Sequence, residues 1–349
     1  MKTNKILLAC MLLFSANTFA QQADMSMIPY RQGDKWGYVS PNKKIVIAPK
    51  YADAGWFSEG LAAVKIGKKY GYINTAGKLV IPAKFTVAKS FRKGYMPNPS
   101  KNGGDSVIFA GASIRTDGYE KCINMKGVIL TKCPAMAESA ALENRTAVET
   151  VVRQKTYTLP NNNGLFDKIV DDYQIEGSDE TYYIAQKGNM YGVFNSKFDT
   201  IVPFQYSSVK VNRSSKKPFL QVTKDNMQGV LLTNGSMAIT PENSSLVPVY
   251  TSNGMDYMIV QRNGKTYVRD FNNKDIIANG YNNIIYDNEG GFILTGDNDL
   301  RGYYFLDNSV IAPKYKEIKL VNGTRYLQVK TSNGKVGYIS STGDEYFIE

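Results

Sequence analysis

The sequence contains no histidine among its 349 residues. This absence excludes Ser-His-Asp triads, Cys-His pairs and histidine-ligated zinc, because each of these sites needs an imidazole. The sequence also lacks a Walker loop, a G-x-S-x-G nucleophile elbow and a GxGxxG turn before a helix. Catalysis could then depend only on carboxylates or on the 24 tyrosines, as in a carbohydrate-active enzyme. We expect that the protein is not an enzyme and binds neither a cofactor nor a metal.

Cysteine is scarce, with three residues in the whole chain. Cys122 and Cys133 lie eleven positions apart, and an even pair in an oxidising compartment favours a disulfide. Closing so short a loop would contribute roughly 3 kcal/mol. The alternative is a pair of buried thiols.

Long hydrophobic runs are absent after the first twenty residues. Lys2 and Lys5 precede an apolar segment from Ile6 to Ala16, and Thr18-Phe19-Ala20 ends in a small residue. This pattern predicts a secretory signal peptide, residues 1–20, that is cleaved after Ala20. The apolar segment is shorter than the roughly 20 residues that span a bilayer, so we expect no membrane span. Residues 21–349 are then secreted or periplasmic.

A lipid anchor is the competing interpretation of the N-terminus. Leu7-Leu8-Ala9-Cys10 resembles a lipobox. Cleavage before Cys10 would leave the apolar residues Met11 to Phe14 where a polar tether is usual. The sequence therefore favours cleavage after Ala20 and keeps the anchor at Cys10 as an alternative.

The chain is basic, with 42 Lys and Arg, 31 Asp and Glu, and a formal net charge of +11. Its lysines are scattered and form only short clusters. Because summed charge steers association, this surplus favours attraction to anionic envelope polymers or lipid headgroups. An exported protein rarely meets nucleic acid, which we do not expect as a partner.

A block of about 34 residues occurs twice in succession near the N-terminus. The copies run from Gly33 to Ile66 and from Gly67 to Tyr95, with Gly37 and Gly71 in equivalent positions 34 residues apart. Seven of the eight steps between successive copies are 34 to 37 residues long, and the other is 50. Such a period indicates a repeat architecture. The Gly37 position recurs at Gly71, Lys121, Thr156, Gly192, Gly229, Thr266, Gly302 and Gly337.

Each unit has the pattern of a β-meander. In the first copy, Tyr38-Val39, Ile45-Val46-Ile47 and Leu61 to Lys65 read as three short strands separated by turn residues. Pro49 ends the second strand because proline cannot donate to a central ladder. The sequence therefore predicts an all-β fold, a tandem array of about nine three-stranded β-meander repeats. The array could be an open superhelix (a solenoid) or a propeller-like ring.

The repeat signature resembles a known family. Lys35-Trp36-Gly37-Tyr38, followed by IVIAPKY and FSEGLAAVK, is similar to the bacterial WG repeat, also called the KWG repeat. The resemblance is clear over residues 33–95 and degenerate over residues 115–349. It implies a repeat scaffold, often secreted or envelope-associated, without common catalytic residues.

The repeated aromatic and glycine positions are interpreted as repeat core. Trp36, Trp56, Phe57, Tyr38 and Tyr72 could form a sugar-stacking platform, but aromatics more often fill β-repeat cores. The glycines are expected where a side chain would clash with the neighbouring unit. The predicted repeat-core residues are Trp36, Gly37, Tyr38, Tyr70, Gly71, Tyr72, Gly192, Gly302 and Gly337.

The 50-residue step marks an insertion, residues 95–110. Its Pro and Gly residues predict an exposed loop, and insertions in repeat proteins often lie on the binding face. The candidate binding residues are Pro97, Asn98, Pro99, Lys101 and Asn102. The acidic clusters at Asp171-Asp172, Glu289 and Asp297 to Asp299 are interpreted as solvated loops, since they lack the spacing of a calcium loop.

These observations predict a non-enzymatic secreted repeat scaffold that binds a protein or an anionic envelope glycan through its loops. A histidine-free carbohydrate-active enzyme and a lipid-anchored envelope accessory protein are the alternatives.

Overall fold

The computed structural model describes residues 25–97, 106–131, 133, 135–136, 164–175, 177–213, 218–251 and 256–348. The predicted signal peptide, Cys10 and the repeat position Thr156 lie outside these ranges.

The first half of the described chain contains sixteen strands: β1 (Ile28–Gln32), β2 (Lys35–Val39), β3 (Ile45–Tyr51), β4 (Asp53–Ala54), β5 (Leu61–Ile66), β6 (Lys69–Asn74), β7 (Leu79–Phe85), β8 (Val87–Ala88), β9 (Arg92–Pro97), β10 (Ser106–Thr116), β11 (Tyr119–Asn124), β12 (Ala135–Met136), β13 (Lys168–Gln174), β14 (Thr181–Lys187), β15 (Met190–Asn195) and β16 (Thr200–Tyr206). The second half adds β17 (Ser208–Asn212), β18 (Phe219–Lys224), β19 (Met227–Leu232), β20 (Met237–Asn243), β21 (Ser245–Tyr250), β22 (Asp256–Arg262), β23 (Lys265–Arg269), β24 (Asp275–Tyr281), β25 (Asn283–Tyr286), β26 (Gly291–Thr295), β27 (Arg301–Phe305), β28 (Val310–Tyr315), β29 (Glu317–Leu320), β30 (Tyr326–Lys330), β31 (Val336–Ser340) and β32 (Phe347–Ile348).

The strands form small sheets that follow one another along the chain, which confirms the predicted all-β tandem array. We number them sheet 1 (β1–β3 with β32), sheet 2 (β4–β7), sheet 3 (β8–β12), sheet 4 (β13–β16), sheet 5 (β17–β20), sheet 6 (β21–β24), sheet 7 (β25–β28) and sheet 8 (β29–β31). Pairing is antiparallel throughout the described sheets, except that β32 pairs with β1 in parallel. The described residues contain one 3-10 turn, Asp297–Asp299, and no α-helix. They therefore include no helix long and apolar enough to cross a membrane.

Most of the sheets have one strand more than the three predicted for each repeat. Six described sheets have four strands, sheet 3 has five and sheet 8 has three. In sheets 2, 5 and 7, the additional strand is the segment that follows the tyrosine at the end of the preceding sheet. Asp53–Ala54, for example, pairs with Lys65 and Val64. A segment of two residues such as Asp53–Ala54 is too short to show a strand pattern in the sequence.

The repeat glycine lies opposite a bulge within its own sheet. Trp36 pairs with Tyr51 and Tyr38 pairs with Ile47, so three residues of β3 face the single residue Gly37. A Cβ on Gly37 would lie 2.3 Å from the carbonyl oxygen of Ile47 and 2.7 Å from the nitrogen of Pro49. The expected clash with a neighbouring unit is therefore wrong, because the obstacle is the next strand of the same sheet. A bulge also tolerates Pro49, since its missing N–H breaks no ladder there.

Sheet 6 corrects one repeat position. Thr266 pairs with Tyr281, as Trp36 pairs with Tyr51. The residue in the Gly37 position is therefore Tyr267, one place after the predicted Thr266. The sequence pattern aligned the two tyrosines Tyr267 and Tyr38, but the pairing does not.

The described residues divide into two compact units. Unit 1 lies within residues 1–148, 321–325 and 345–349, and unit 2 lies within residues 149–320 and 326–344. In unit 1, one hydrophobic cluster joins Tyr72, Ile81 and Phe85 of sheet 2 to Phe91 and Ile114 of the following segment. Consecutive sheets thus share their core, as expected for repeats that bury their apolar faces against neighbours.

Unit 1 also holds the disulfide. Cys122 on β11 and Cys133 are bonded, with their Cα atoms 5.3 Å apart. Cys122 is buried, whereas Cys133 is exposed.

Unit 2 repeats the shared-core arrangement over sheets 4 to 7. Leu220 and Val222 of sheet 5 pack in one cluster with Ile184 and Val193 of sheet 4. Similar clusters join sheet 5 to sheet 6 and sheet 6 to sheet 7. Degenerate repeats therefore keep the packing of the clear ones.

Candidate functional site

A groove in unit 2 lies between sheets 7 and 8 and has a volume of about 550 Å³. This volume falls in the range of small-molecule sites. Its lining consists of Ile285, Ile293, Arg301, Lys316, Glu317, Ile318, Lys319, Gln328, Val329, Lys330 and Val336.

The sheet 7 side of the groove is aliphatic. Ile285 on β25 and Ile293 on β26 are directly opposite each other in the ladder, so both side chains stand on one face of the sheet. Ile285 is 48% exposed although it is a large apolar residue. Arg301 on β27 follows on the same sheet, and its guanidinium donates to the Thr295 hydroxyl.

The sheet 8 side is predominantly charged. Glu317 pairs with Lys330 and Lys319 pairs with Gln328 across β29 and β30. Opposed residues share a face, so these four side chains point the same way. The Lys330 ammonium lies 2.7 Å from a Glu317 carboxylate oxygen.

The lining has four cations and one carboxylate. Glu317 is paired with Lys330, which leaves Arg301, Lys316 and Lys319 without a carboxylate partner within the groove lining. Lys316 and Lys319 are exposed, and no described carboxylate lies within ion-pair distance of either. The groove therefore combines an aliphatic floor with a surplus of positive charge, which suits a ligand carrying both apolar and acidic groups.

The structure places the predicted aromatic residues in the core. Trp36 and Trp56 are buried, and Tyr38, Phe57 and Tyr72 have no exposed surface. The Tyr38 hydroxyl donates to the Gly55 carbonyl oxygen at 2.8 Å. These side chains offer no platform on which a sugar could stack.

The remaining predicted repeat-core residues are Tyr70 and the repeat glycines. Tyr70 is half-buried, and its hydroxyl donates to an Asp53 carboxylate oxygen at 2.6 Å. The glycines in the third strand of their sheets are buried: Gly37, Gly71, Gly192, Gly302 and Gly337.

The insertion is a strand hairpin for most of its described length. Pro97 pairs with Ser106 and Tyr95 with Ile108, so β9 and β10 continue into the segment predicted as a loop. The loop prediction for residues 95–97 and 106–110 is therefore wrong, because Pro97 lies at the strand end, where it costs no internal ladder bond. Of the candidate residues, Asn98, Pro99, Lys101 and Asn102 lie outside the described residues.

The acidic clusters serve local structure. Asp171 pairs with Arg213 at 2.8 Å. Asp287, two residues before Glu289, accepts backbone N–H groups of a turn and the Tyr303 hydroxyl. Asp297 to Asp299 forms the 3-10 turn. Within the described ranges, no group of three or more Cys, Asp or Glu residues could hold a metal ion.

Two further carboxylates lie in an ion-pair network that the sequence did not indicate. Asp275 accepts from Arg269 and Arg262, each at 2.6 Å. Glu242 accepts from the same two arginines at 2.8 and 3.1 Å. Neither carboxylate is available as a free acid or base, since both are engaged by guanidinium groups.

The buried tyrosines are poor candidates for catalysis. Burial raises the pKa of Tyr72 and of Tyr173 above the ordinary value. Burial and the hydrogen bond to Asp287 raise the pKa of Tyr303 in the same direction. A phenolate base needs the opposite shift.

Sequence reasoning missed the groove. Its residues belong to degenerate repeats, where no signature marks them. The available signal was the alternation of charged and apolar residues in Lys316-Glu317-Ile318-Lys319. That alternation predicts a half-buried strand, and it gives no indication of a partner strand across a groove.

The solved structures that resemble this chain do so distantly. A complex of dihydro-heme d1 dehydrogenase NirN with DHE has 10% identity, covers 93% of this chain and 73% of its own, and gives a TM-score of 0.30. Hsv2p of Kluyveromyces lactis has 9% identity, coverage of 82% and 92%, and a TM-score of 0.24. BBS1N in complex with ARL6DN has 12% identity, coverage of 66% and 73%, and a TM-score of 0.22. Scores this low carry no argument about function.

The sequence comparison is more specific. No curated protein matches this chain. A family model described as a WG containing repeat matches residues 36–70 and 70–97. These matches cover the two clear repeats and support their resemblance to WG repeats.

Proposed function

We propose that this protein is a non-enzymatic WG-repeat scaffold that is exported to the cell envelope and binds an acidic segment of another protein in the groove of unit 2. The observation that carries this proposal is the groove itself, with aliphatic Ile285 and Ile293 facing the lysines of sheet 8. Export rests on the sequence pattern of residues 1–20 and on the disulfide, since disulfides persist in oxidising compartments.

The groove suits an extended peptide better than a glycan. No aromatic side chain lines it, whereas Tyr and Trp are the side chains that combine a large apolar face with a polar group. A peptide in which Asp or Glu alternates with aliphatic residues presents its carboxylates on one face and its apolar side chains on the other. Its carboxylates would meet Lys316 and Lys319 while its aliphatic side chains cover Ile285 and Ile293.

A binding role is also supported by the state of the acidic and phenolic groups. In the described residues, Asp275 and Glu242 are held by arginines, and the pKa of Tyr303 is raised. The sequence supplies no histidine. A carbohydrate-active enzyme would need a carboxylate or a phenol in a more available state.

The test is a binding titration with a labelled peptide of alternating glutamate and valine. The wild-type chain should bind this peptide and should not bind one of alternating lysine and valine. The variant Lys316→Glu/Lys319→Glu should bind at least about tenfold more weakly, because two attractions become repulsions. Lys210→Glu is the matched control: Lys210 is the third residue of β17, as Lys319 is of β29, and is also exposed.

Three results would contradict the proposal. Equal losses in the groove variant and in Lys210→Glu would mean a diffuse charge effect. Competition by a uronic-acid oligosaccharide, without peptide binding, would replace the peptide by an anionic glycan. Release of reducing ends from that oligosaccharide would show an enzyme.

A further inference from the structure

Unit 1 exposes aliphatic side chains in a repeated position. Ile45 and Val46 begin β3, and Leu79 and Val80 begin β7. Beside β11, Ile129 pairs with Ile123 as Ile45 pairs with Val39 and Leu79 with Ile73, and Val128 directly precedes it. All six are between 41% and 56% exposed. β3 and β7 are the outermost strands of sheets 1 and 2. We call these six residues the apolar row.

The three pairs come from sheets in direct contact. A Cβ on Gly77, in the turn before β7, would lie 3.4 Å from Cδ1 of Ile47 on β3. A Cβ on Gly127, in the turn after β11, would lie 2.9 Å from Cγ2 of Ile81 on β7. The turn of each sheet therefore rests on the outermost strand of the preceding one, and the exposed pairs follow one another in sheet order.

The row is accompanied by positive charge alone. The segments 40–50, 74–84 and 124–131, which contain the row, have no Asp or Glu. They contain six lysines, all exposed: Lys43, Lys44, Lys50, Lys78, Lys84 and Lys126. Lysines on edge strands discourage pairing with another chain, but they do not explain why two aliphatic side chains are exposed in each sheet.

From this arrangement we propose that the apolar row is a docking surface for an anionic lipid bilayer. Peripheral binding combines insertion of apolar side chains at the headgroup boundary with attraction of basic residues to anionic lipids. Exposed aliphatic side chains and lysines are both present in each of the three successive sheets. The proposal concerns unit 1 and is independent of the peptide groove in unit 2.

Charge and chemistry disfavour the other occupants. A second copy of the row would bring six lysines against six lysines, which repel. A soluble polyanion would satisfy the lysines but would leave the aliphatic side chains in water. A bilayer supplies both negative headgroups and hydrocarbon.

The experiment is co-sedimentation of the processed chain, Gln21 to Glu349, with lipid vesicles. One set of vesicles contains equal parts of phosphatidylglycerol and phosphatidylcholine, and the other contains phosphatidylcholine alone. The chain should bind the first set and not the second. Val46→Ser/Val80→Ser/Val128→Ser should bind at least about tenfold more weakly, and so should Lys44→Gln/Lys78→Gln/Lys126→Gln.

The matched control is Met237→Ser/Val310→Ser. These two residues begin the fourth strands of sheets 5 and 7 and are each 48% exposed, but they belong to unit 2. This variant should bind like wild type. Thermal unfolding should be unchanged in every variant, because exposed substitutions shift stability by at most about 0.5 kcal/mol.

Several outcomes would overturn the proposal. They are absence of binding to anionic vesicles, equal loss in the unit 2 control, and undiminished binding of the valine variant. The last outcome, together with binding to soluble dextran sulfate, would mean recognition of polyanions by charge alone.

Discussion

Units 1 and 2 have the same sheet design but present different surfaces. In unit 1, the three segments that carry the apolar row contain six lysines and no acidic residue. The equivalent segments of unit 2, residues 195–205, 232–242, 270–280 and 305–314, contain three lysines and five acidic residues. In these segments unit 2 exposes three large aliphatic side chains, Leu232, Met237 and Val310, and no two of them are adjacent in sequence.

The acidic residues of unit 2 perform local tasks. Asp199 and Asp270 lie in the turns between the third and fourth strands, where Asp270 accepts backbone N–H groups. Asp275 and Glu242 hold Arg269, which is buried. The same arrangement of strands therefore forms with different residues in its turns and on its outermost strands. The uniform lysine and aliphatic pattern of unit 1 is not needed to form a sheet, and this indicates a role at the surface.

The largest loss of stability should come from replacing Gly71, the glycine opposite the bulge in sheet 2 of unit 1, by a residue with a side chain. A Cβ on Gly71 would lie 2.5 Å from the carbonyl oxygen of Ile81 and 2.8 Å from the nitrogen of Ala83. Both obstacles are backbone atoms and cannot rotate away. We expect Gly71→Ala to lower the free energy of unfolding by about 3 kcal/mol or more, and Gly71→Val by more still. Urea unfolding measures the difference.

Gly55→Ala is the control within the same unit. A Cβ there would meet its nearest atom, the Ala63 carbonyl oxygen, at 3.6 Å, which is an ordinary contact. This variant should unfold within about 1 kcal/mol of wild type. If Gly71→Ala unfolds like Gly55→Ala, the bulge does not require glycine.

The repeat frame could be predicted from the sequence because its cause is local. Gly37, Tyr38 and the proline of IVIAPKY are determined by one strand pair, so they recur at a fixed period. The short strand Asp53–Ala54 could not be predicted, since two residues carry no periodicity. The sequence pattern placed the repeat glycine position at Thr266, one residue too early, because Tyr267 resembles the repeat tyrosine. The small residue that compensates, Gly280, lies on the facing strand.

The groove and the apolar row were hidden for different reasons. Ile285 and Lys319 come from different sheets, and only the packing of sheet 7 on sheet 8 brings them to one groove. The sequence predicts a strand at Ile45 and Val46, and their place on an outermost strand is what exposes them. Sequence periodicity predicts strands, but it does not tell which strand is the last of its sheet.

The disulfide should produce the next largest effect, confined to unit 1. It closes a separation of eleven residues, which corresponds to about 3 kcal/mol of stability in the chain-entropy estimate. Cys122→Ser/Cys133→Ser should lose about this amount, and treatment with a reductant should have the same effect on wild type. Hydrogen exchange would locate the loss by faster exchange in β10 and β11. Unchanged exchange there, or equal acceleration in β18 and β19 of unit 2, would contradict the assignment.

The smallest effect tests how unit 2 replaced the bulge glycine. In sheet 6, Tyr267 occupies the Gly37 position, and the small residue is now Gly280 on the facing strand, in the position of Lys50. A Cβ on Gly280 would lie 2.7 Å from the Tyr267 hydroxyl and 2.8 Å from Cβ of Lys265. We expect Gly280→Ala to cost about 1 to 2 kcal/mol, less than Gly71→Ala, because the tyrosine side chain can move whereas a carbonyl cannot.

A double-mutant cycle determines whether the two residues compensate each other. Tyr267→Gly removes the phenol and leaves the Cβ of Lys265, so adding Gly280→Ala to that background should cost less than it does in wild type. The coupling energy between the two sites should then be about 1 kcal/mol, within the range found for residues in contact. Additive costs would mean that Gly280 serves the backbone of β24 rather than the tyrosine. Coupling would mean that each strand pair needs a small residue opposite a large group at the bulge. Either strand could then supply the small residue. That rule would explain how the glycine signature fades in unit 2 while the sheets persist.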